Sequence, residues 1–162
     1  MKEQAMSKNT AIEKLKSGSP GIGVLCLIVS AVNLMIILAN SVRSGLFTMQ
    51  GFTIERYSAI RQLISSGFLT VIMLLAALMF FRIAKDGMPF TAKNSRTVRT
   101  IGILFLVNAV IPSVSAAGII GTFKGVGGLV NPSALIEGLL FLFIAHIIRY
   151  GAMLQQESDE TL

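Results

Sequence analysis

The chain has few of the residues from which catalytic and metal sites are usually built. Its 162 residues include one cysteine, Cys26, and one histidine, His146. A single cysteine cannot form an internal disulfide, and these two residues cannot supply a cysteine- and histidine-rich zinc site. The sequence also has no zincin-type HExxH run, no P-loop and no GxSxG elbow. We therefore expect no enzyme, no cofactor and no metal centre.

Charged residues are scarce as well, at 14% of the chain against about 25% in a typical soluble domain. The deficit comes from long apolar runs of about 20 residues, the length that crosses the roughly 30 Å hydrocarbon core of a bilayer. A soluble helix would carry a polar outer stripe, and the first three runs have no charged face. The sequence predicts an all-α fold, an integral membrane four-helix bundle, with its transmembrane domain at 21–149 and helices at about 21–42, 62–81, 101–122 and 130–149.

The segments outside these runs are polar. Residues 1–20 form a basic N-terminal segment, in which Gln4 to Leu15 is either a short interfacial helix or a frayed tail. Ser17 to Gly21 predicts a break before the first span. Residues 150–162 form an acidic tail. The formal net charge of +6 lies in short connections between apolar runs, which favours a bilayer over direct nucleic acid binding.

Lysine and arginine are divided unequally between the two sides of the predicted bundle. The N-terminal segment, the second loop and the C-terminal tail carry ten of them, and the first and third loops carry four. Basic loops remain in the cytoplasm. The sequence therefore predicts an N-in/C-in multi-pass membrane protein, with both termini cytoplasmic. It predicts no oligomeric state.

Glu137 is the charged residue inside a predicted span that needs an explanation. It lies in the half of the fourth run that is nearer the outside. A carboxylate in hydrocarbon is costly and marks a candidate functional site. Its cationic partners on that side would be Arg43, Arg61 or Lys124. The alternatives are a structural pair or protonated acid, and a proton- or ligand-linked role. His146 lies about 180° away around the helix and predicts an ordinary interfacial histidine.

Two other groups of polar residues fall within predicted spans. The first helix carries a polar stripe made of Ser30, Asn33, Asn40 and Ser41. We expect this stripe to face the protein, because unpaired amides in lipid are costly. The third helix carries Asn108 and Pro112, which predict a kinked helix packed among its neighbours. The functional alternatives are a conduction path for the stripe and a hinge or polar path for the third helix.

Two segments resemble a known family. The second loop reads Asp86-Gly87-Met88-Pro89-Phe90-Thr91-Ala92-Lys93-Asn94, followed by Arg96, Arg99 and Gly102. The end of the chain reads Ile148-Arg149-Tyr150-Gly151-Ala152-Met153-Leu154-Gln155-Gln156-Glu157-Ser158-Asp159-Glu160-Thr161-Leu162. Together with the four predicted spans and the lengths of the loops between them, these segments resemble the bacterial membrane family of domain of unknown function 2975. Its members are often encoded beside a small helix-turn-helix regulator, so the resemblance implies a membrane protein that acts with a cytoplasmic transcription regulator.

The same two segments predict a cytoplasmic docking surface. Gly87 and Pro89 predict a turn, and Thr91 or Asn94 can cap the third helix. The acidic tail and the basic loop lie on one predicted face, where they either pair weakly or compete for a partner. The simpler alternative is a solvated tail and a loop that only sets topology. The candidate docking residues are Asp86, Gly87, Pro89, Phe90, Asn94, Arg96, Arg99, Arg149, Gln155, Glu157, Asp159 and Glu160.

Two classes of function follow. The leading hypothesis is a regulatory or interaction protein of the bacterial cell inner membrane that acts with the helix-turn-helix partner. The alternative is a small transporter, channel subunit or immunity-type membrane protein, which Glu137 and the kinked third helix favour.

Overall fold

The structure, a computed structural model, describes residues 2–43, 54–120 and 131–160, and their side chains except at 2–9, 11, 54–59, 61, 111–120 and 159. Over these ranges it is all-helical, as the sequence predicts. The helices are α1 (Lys2–Arg43), α2 (Ile54–Asp86), α3 (Ala92–Ile120) and α4 (Pro132–Glu160).

Three stretches of these helices are long and apolar enough to cross a membrane, namely Ile12–Arg43, Gln62–Asp86 and Pro132–Ser158. Large apolar side chains lie on their outer surfaces. Met35 is 72% exposed on α1 and Phe143 is 66% exposed on α4. Exposed apolar surface on this scale is unusual for a soluble monomer and indicates a membrane protein. Side chains of α3 beyond Val110 lie outside the described residues.

Helix α1 continues through the break that the sequence predicts. Pro20 lies inside the helix, although proline removes one backbone hydrogen bond. Packing on both sides of Pro20 explains the difference. Before it, Lys16 lies against Gly87, and after it, Gly23 lies against the Phe81 ring. The tertiary contacts of α1 therefore outweigh the local preference for a break, and the expected boundary at Ser17 to Gly21 is wrong.

Helices α1 and α2 pack antiparallel through polar contacts. The Asn33 side chain donates from Nδ2 to the Ser66 carbonyl oxygen and to Thr70 Oγ1, both at 2.9 Å. Ser30 and Ser41 are buried, and Asn40 is half-buried. The polar stripe of α1 therefore faces the protein, as predicted, while its apolar residues face outward.

Helices α3 and α4 form a second antiparallel pair, which is held by small and aromatic residues. Gly102 and Gly138 bring the two backbones close together. One turn away, the Phe105 and Phe141 rings stack with centroids 5.4 Å apart. Phe105 also belongs to a buried cluster with Ile72 of α2, so the core joins the second helix pair to the first.

Helix α4 extends beyond the predicted span. It includes the segment 150–160, which the sequence describes only as a polar tail. Within this extension Gln156 donates to the Glu160 carboxylate at 3.0 Å, a helical i to i+4 bond. The tail is therefore a continuation of a membrane-length helix for at least its first eleven residues.

Candidate functional site

The loop between α2 and α3 is built around two residues that end one helix and begin the next. Gly87 has φ +70°, and its amide donates to the Ile83 carbonyl at 2.7 Å, which closes α2. Thr91 Oγ1 accepts from the Asn94 amide at 3.1 Å and caps α3. The predicted turn is confirmed, and of the two predicted capping residues, Thr91 and Asn94, it is Thr91 that caps the helix.

The buried side chain of Asn94 stabilises the loop through hydrogen bonds. This side chain is 2% exposed and donates from Nδ2 to the carbonyl oxygens of Met88, at 3.3 Å, and Pro89, at 3.1 Å. Its Oδ1 has no hydrogen-bond partner among the described residues. A buried amide of this kind fixes the path of the loop, because each carbonyl that it binds would otherwise lose a partner.

The loop also contacts the helices on either side of it. Gly87 lies against Lys16 and Ile12 of α1, and the Phe90 ring lies on Gly151 of α4. These contacts bring the loop, the N-terminal half of α1 and the C-terminal third of α4 to one end of the molecule. We call this the basic end, because Arg82, Lys85, Lys93, Arg96, Arg99 and Arg149 all lie there.

A groove opens at the basic end along the contact between α3 and α4. Its volume is about 630 Å³, and we call it the basic groove. It is lined by two sets of residues with the same helical spacing, namely Ala92, Ser95, Arg96 and Arg99 on α3, and Leu142, Ala145, His146 and Arg149 on α4. Residues at this spacing form one face of each helix, so the groove is the valley between two facing stripes.

The floor of the groove is fixed by a buried hydrogen bond between the helices. Ser95 Oγ donates to the Ala145 carbonyl oxygen at 2.9 Å. Ser95 is 8% exposed and Ala145 is 5% exposed, so this bond is shielded from solvent. It holds the two stripes at a constant separation, and the basic side chains rise on either side of it.

The groove concentrates positive charge. Arg96, Arg99 and Arg149 are exposed at its walls together with His146. In the part of the chain that the structure describes, the lining contains no carboxylate, and these four side chains have no hydrogen-bond or ion-pair partner. Guanidinium groups present planar forks of donors that match carboxylate and phosphate oxygens. The arrangement is therefore suited to binding an anion.

The structure brings together only some of the candidate docking residues. Arg96, Arg99 and Arg149 meet in the groove, and Phe90 reaches α4 through Gly151. Asp86 is exposed at the end of α2. Glu160 binds Gln156 on its own helix, and Gln155 and Glu157 lie on the α4 extension. The side chain of Asp159 lies outside the described residues.

The candidate intramembrane residues do not form one site. Glu137 is exposed beside Ile136, which is itself 64% exposed. Of its predicted partners, Arg43 is described and does not pair with it, while Lys124 and the Arg61 side chain lie outside the described residues. Asn33 binds α2, whereas Asn108 is 9% exposed in α3.

The other two candidate intramembrane residues, Asn108 and Pro112, belong to α3. Asn108 Oδ1 has no hydrogen-bond partner within the described ranges. The helical backbone continues past Pro112 to Ile120, and the Pro112 side chain lies outside the described residues. The functional roles predicted for Asn33, Asn40, Asn108, Pro112 and Glu137 therefore remain predictions.

Two residues of the groove, Ser95 and His146, are not among the docking residues that the sequence predicts. For His146 the sequence predicts only an ordinary interfacial position. The signal that could have found them is the shared spacing of 92, 95, 96 and 99 on one helix and of 142, 145, 146 and 149 on the other. Spacing alone does not give the register between two helices, which is what places the two stripes opposite each other.

No protein-family model, curated protein or solved structure matches this chain.

Proposed function

We propose that this protein is a four-span regulatory or interaction protein of the bacterial inner membrane, in which the basic end faces the cytoplasm and docks a helix-turn-helix transcription regulator. The observation that carries the proposal is the assembly of the basic end itself. The contact of Phe90 with Gly151 holds the second loop against the α4 extension, so the two family-like segments form one continuous surface.

The orientation is supported by the charge distribution. The segments that carry ten of the fourteen lysines and arginines are the N-terminal segment, the second loop and the end of α4. Contacts of Gly87 with Lys16 and of Phe90 with Gly151 place these three segments at the same end. Under the positive-inside rule, that end faces the cytoplasm. A fourth span formed by α3 fits the same arrangement, since its backbone is helical from Ala92 to Ile120.

The surface offered to a partner combines charge with exposed apolar groups. Met88 and Phe90 of the loop, and Tyr150, Met153 and Leu154 of the α4 extension, are exposed at the basic end. Methionine and aromatic side chains are enriched in protein interfaces. They lie beside Arg149 and at the start of the acidic helical extension. A cytoplasmic protein can therefore make apolar contacts here while charges set its orientation.

A pull-down from a mild detergent extract tests this proposal. The full chain is compared with a chain that ends after Met153, and with the length-preserving variant E157Q/E160Q. We expect the full chain to retain a helix-turn-helix protein and the truncated chain to lose it. A full chain that captures no helix-turn-helix protein, or a full and a truncated chain that retain the same soluble proteins, would overturn the proposal. The charge variant shows whether the acids or the apolar residues of the extension bind the partner.

A second candidate function is favoured by one observation. Glu137 is exposed on α4, next to Ile136 and one turn from Leu140, two exposed apolar residues, and a carboxylate in lipid would be costly there. This supports a small transporter, channel subunit or immunity-type protein in which Glu137 handles a proton or a ligand. In a proteoliposome flux assay, E137Q would abolish transport under this alternative. If wild-type and E137Q vesicles show the same flux as empty vesicles, the alternative fails.

A further inference from the structure

We propose that the basic groove binds the phosphate headgroup of an anionic phospholipid from the surrounding membrane, with the acyl chains of the lipid lying along the contact between α3 and α4. This inference rests on the membrane placement proposed above, and it does not depend on the identity of the cytoplasmic partner.

The polar part of the site matches a phosphate. Arg96 and Arg99 rise from one wall of the groove, and His146 and Arg149 rise from the other. An arginine binds phosphate through two parallel N–H···O bonds, and such charge-assisted bonds are about twice as strong as neutral ones. With guanidinium groups on both walls, one phosphate can be bound from two sides. The described lining contains no carboxylate that would compete for these guanidinium groups.

The size of the groove suits a headgroup better than a simple ion. Its volume of about 630 Å³ is within the range of about 300–1,000 Å³ found for small-molecule sites. The buried hydrogen bond between Ser95 and Ala145 connects the two helices at the floor of the groove. The groove therefore has this volume while the helices remain in contact. A phosphate diester with a glycerol-sized group fits within this space together with the first atoms of its acyl chains, while an inorganic anion leaves most of it to water.

The apolar surface that continues from the groove distinguishes a lipid from a free phosphate. On α3, Ile103 follows Arg99 by one turn and is 46% exposed. On α4, Leu139 precedes Leu142 by one turn and is 54% exposed. Residues three or four apart lie on the same helical face. Each basic stripe therefore passes directly into an exposed apolar stripe, the pattern that an amphiphile requires.

The position of the groove along the helices fits the headgroup level of a leaflet. On α3 the uncharged run begins immediately after Arg99, and on α4 the run between Glu137 and His146 has no charge. The groove thus lies where the apolar helix surfaces end. Basic pockets between membrane helices on the cytoplasmic side are where anionic lipid headgroups bind.

Lipid titration of the purified full chain in non-ionic detergent tests the proposal. A fluorescent phosphatidylglycerol with short acyl chains is compared with phosphatidylcholine of the same chain length, and Kd is read from anisotropy. The groove variant is R96Q/R99Q. Its matched control is K85Q/K93Q, which also removes two positive charges from the basic end but lies outside the groove. Both pairs are exposed, and the melting temperature of each variant confirms that it is folded.

We expect wild-type protein to prefer phosphatidylglycerol, and the groove variant to lose affinity for it by about tenfold or more, a difference of about 1.4 kcal/mol. The control should change by less than about twofold, which is only about 0.4 kcal/mol. Equal losses in the two variants would mean that only the general surface charge attracts lipid, and equal binding of the two lipids by wild-type protein would mean that no anionic site exists. Either result overturns the proposal.

Two further measurements distinguish a lipid phosphate from inorganic phosphate, and a lipid from a soluble protein partner. Inorganic phosphate should displace the lipid only at concentrations far above the lipid's own Kd. The variant L139N, which makes the apolar surface beside the groove polar, should weaken lipid binding while leaving phosphate binding unchanged. If inorganic phosphate competes as well as the lipid does, the lipid assignment is wrong. If R96Q/R99Q abolishes capture of a soluble partner while lipid affinity is unchanged, the groove belongs to that partner. Failure of the pull-down described under Proposed function leaves this titration unaffected.

Discussion

Gly102 of α3 and Gly138 of α4 face each other so closely that a Cβ atom on Gly102 would lie 3.0 Å from the Gly138 carbonyl oxygen. In the other direction, a Cβ on Gly138 would lie 3.0 Å from the Gly102 carbonyl oxygen and 2.8 Å from the Leu106 side chain. Small residues at such points let two membrane helices approach to backbone contact. This crossing lies about one helical turn from Arg99 and Leu142, which line the basic groove.

Substitution of either glycine by alanine should destabilise the α3–α4 pair. The added methyl group meets a backbone oxygen that cannot move aside, and overpacking of this kind costs about 1–3 kcal/mol. We expect G102A and G138A to lower the melting temperature of the detergent-solubilised protein. G67A is the matched control, because nothing lies within 4 Å of a Cβ at Gly67. Alanine favours a helix over glycine by about 1 kcal/mol, so G67A should melt at the same temperature as wild type or higher. Equal melting of all three variants would contradict the close crossing.

Gly87 should tolerate alanine poorly for two separable reasons. Its φ of +70° is in the left-handed region, which costs a residue with a Cβ about 1–2 kcal/mol. A Cβ there would also lie 2.7 Å from Lys16 Cε. We expect G87A to lower the free energy of unfolding, and K16A/G87A to recover the contribution of the Lys16 contact but not that of the backbone. G18A, with open space around its Cβ, is the control. A G87A protein as stable as G18A would show that the loop has another conformation.

The hydrogen bond between Asn33 and Thr70 should appear as an energetic coupling between α1 and α2. A double-mutant cycle with N33A and T70V measures it directly. Hydrogen bonds between membrane helices contribute about 0.6 kcal/mol on average and up to about 1.7. We expect a coupling energy in that range from unfolding in mixed micelles. The pair N33A and S19A serves as control, because Ser19 is also buried on α1 but binds the Leu15 carbonyl of its own helix. If the N33A/T70V effects are simply additive, as they should be in the control pair, the observed contact does not stabilise the protein.

Features that depend on one stretch of sequence were predictable. The four helices follow from uncharged runs of membrane length, and the inward-facing stripe of α1 follows from the cost of unpaired amides. The turn at Gly87 and the cap at Thr91 follow from local backbone chemistry. In each case the physical cause acts within a few residues along the chain, where the sequence itself displays it.

Features that depend on contacts between distant segments were not predictable in the same way. The predicted break near Pro20 is absent because Lys16 and Gly23 pack against the α2 end of the molecule. In the basic groove, Arg96 of α3 and His146 of α4 lie on opposite walls. The residue pattern within one helix does not determine which residues of the other helix lie opposite it. The exposure of Glu137 likewise depends on the rotation of α4, which is set by the Gly102–Gly138 crossing.

The central claim is that the basic end faces the cytoplasm and the C-terminal end of α1, at Arg43, faces the other side of the membrane. Cysteine accessibility tests it most directly. In a C26A background, single cysteines are placed by K85C and Q155C at the basic end and by R43C at the last turn of α1, and spheroplasts are treated with a membrane-impermeant maleimide. All three native side chains are exposed. We predict that R43C is labelled from outside, and that K85C and Q155C are labelled only after the membrane is permeabilised. Labelling of K85C from outside, or labelling of R43C and K85C from the same side, would contradict the account.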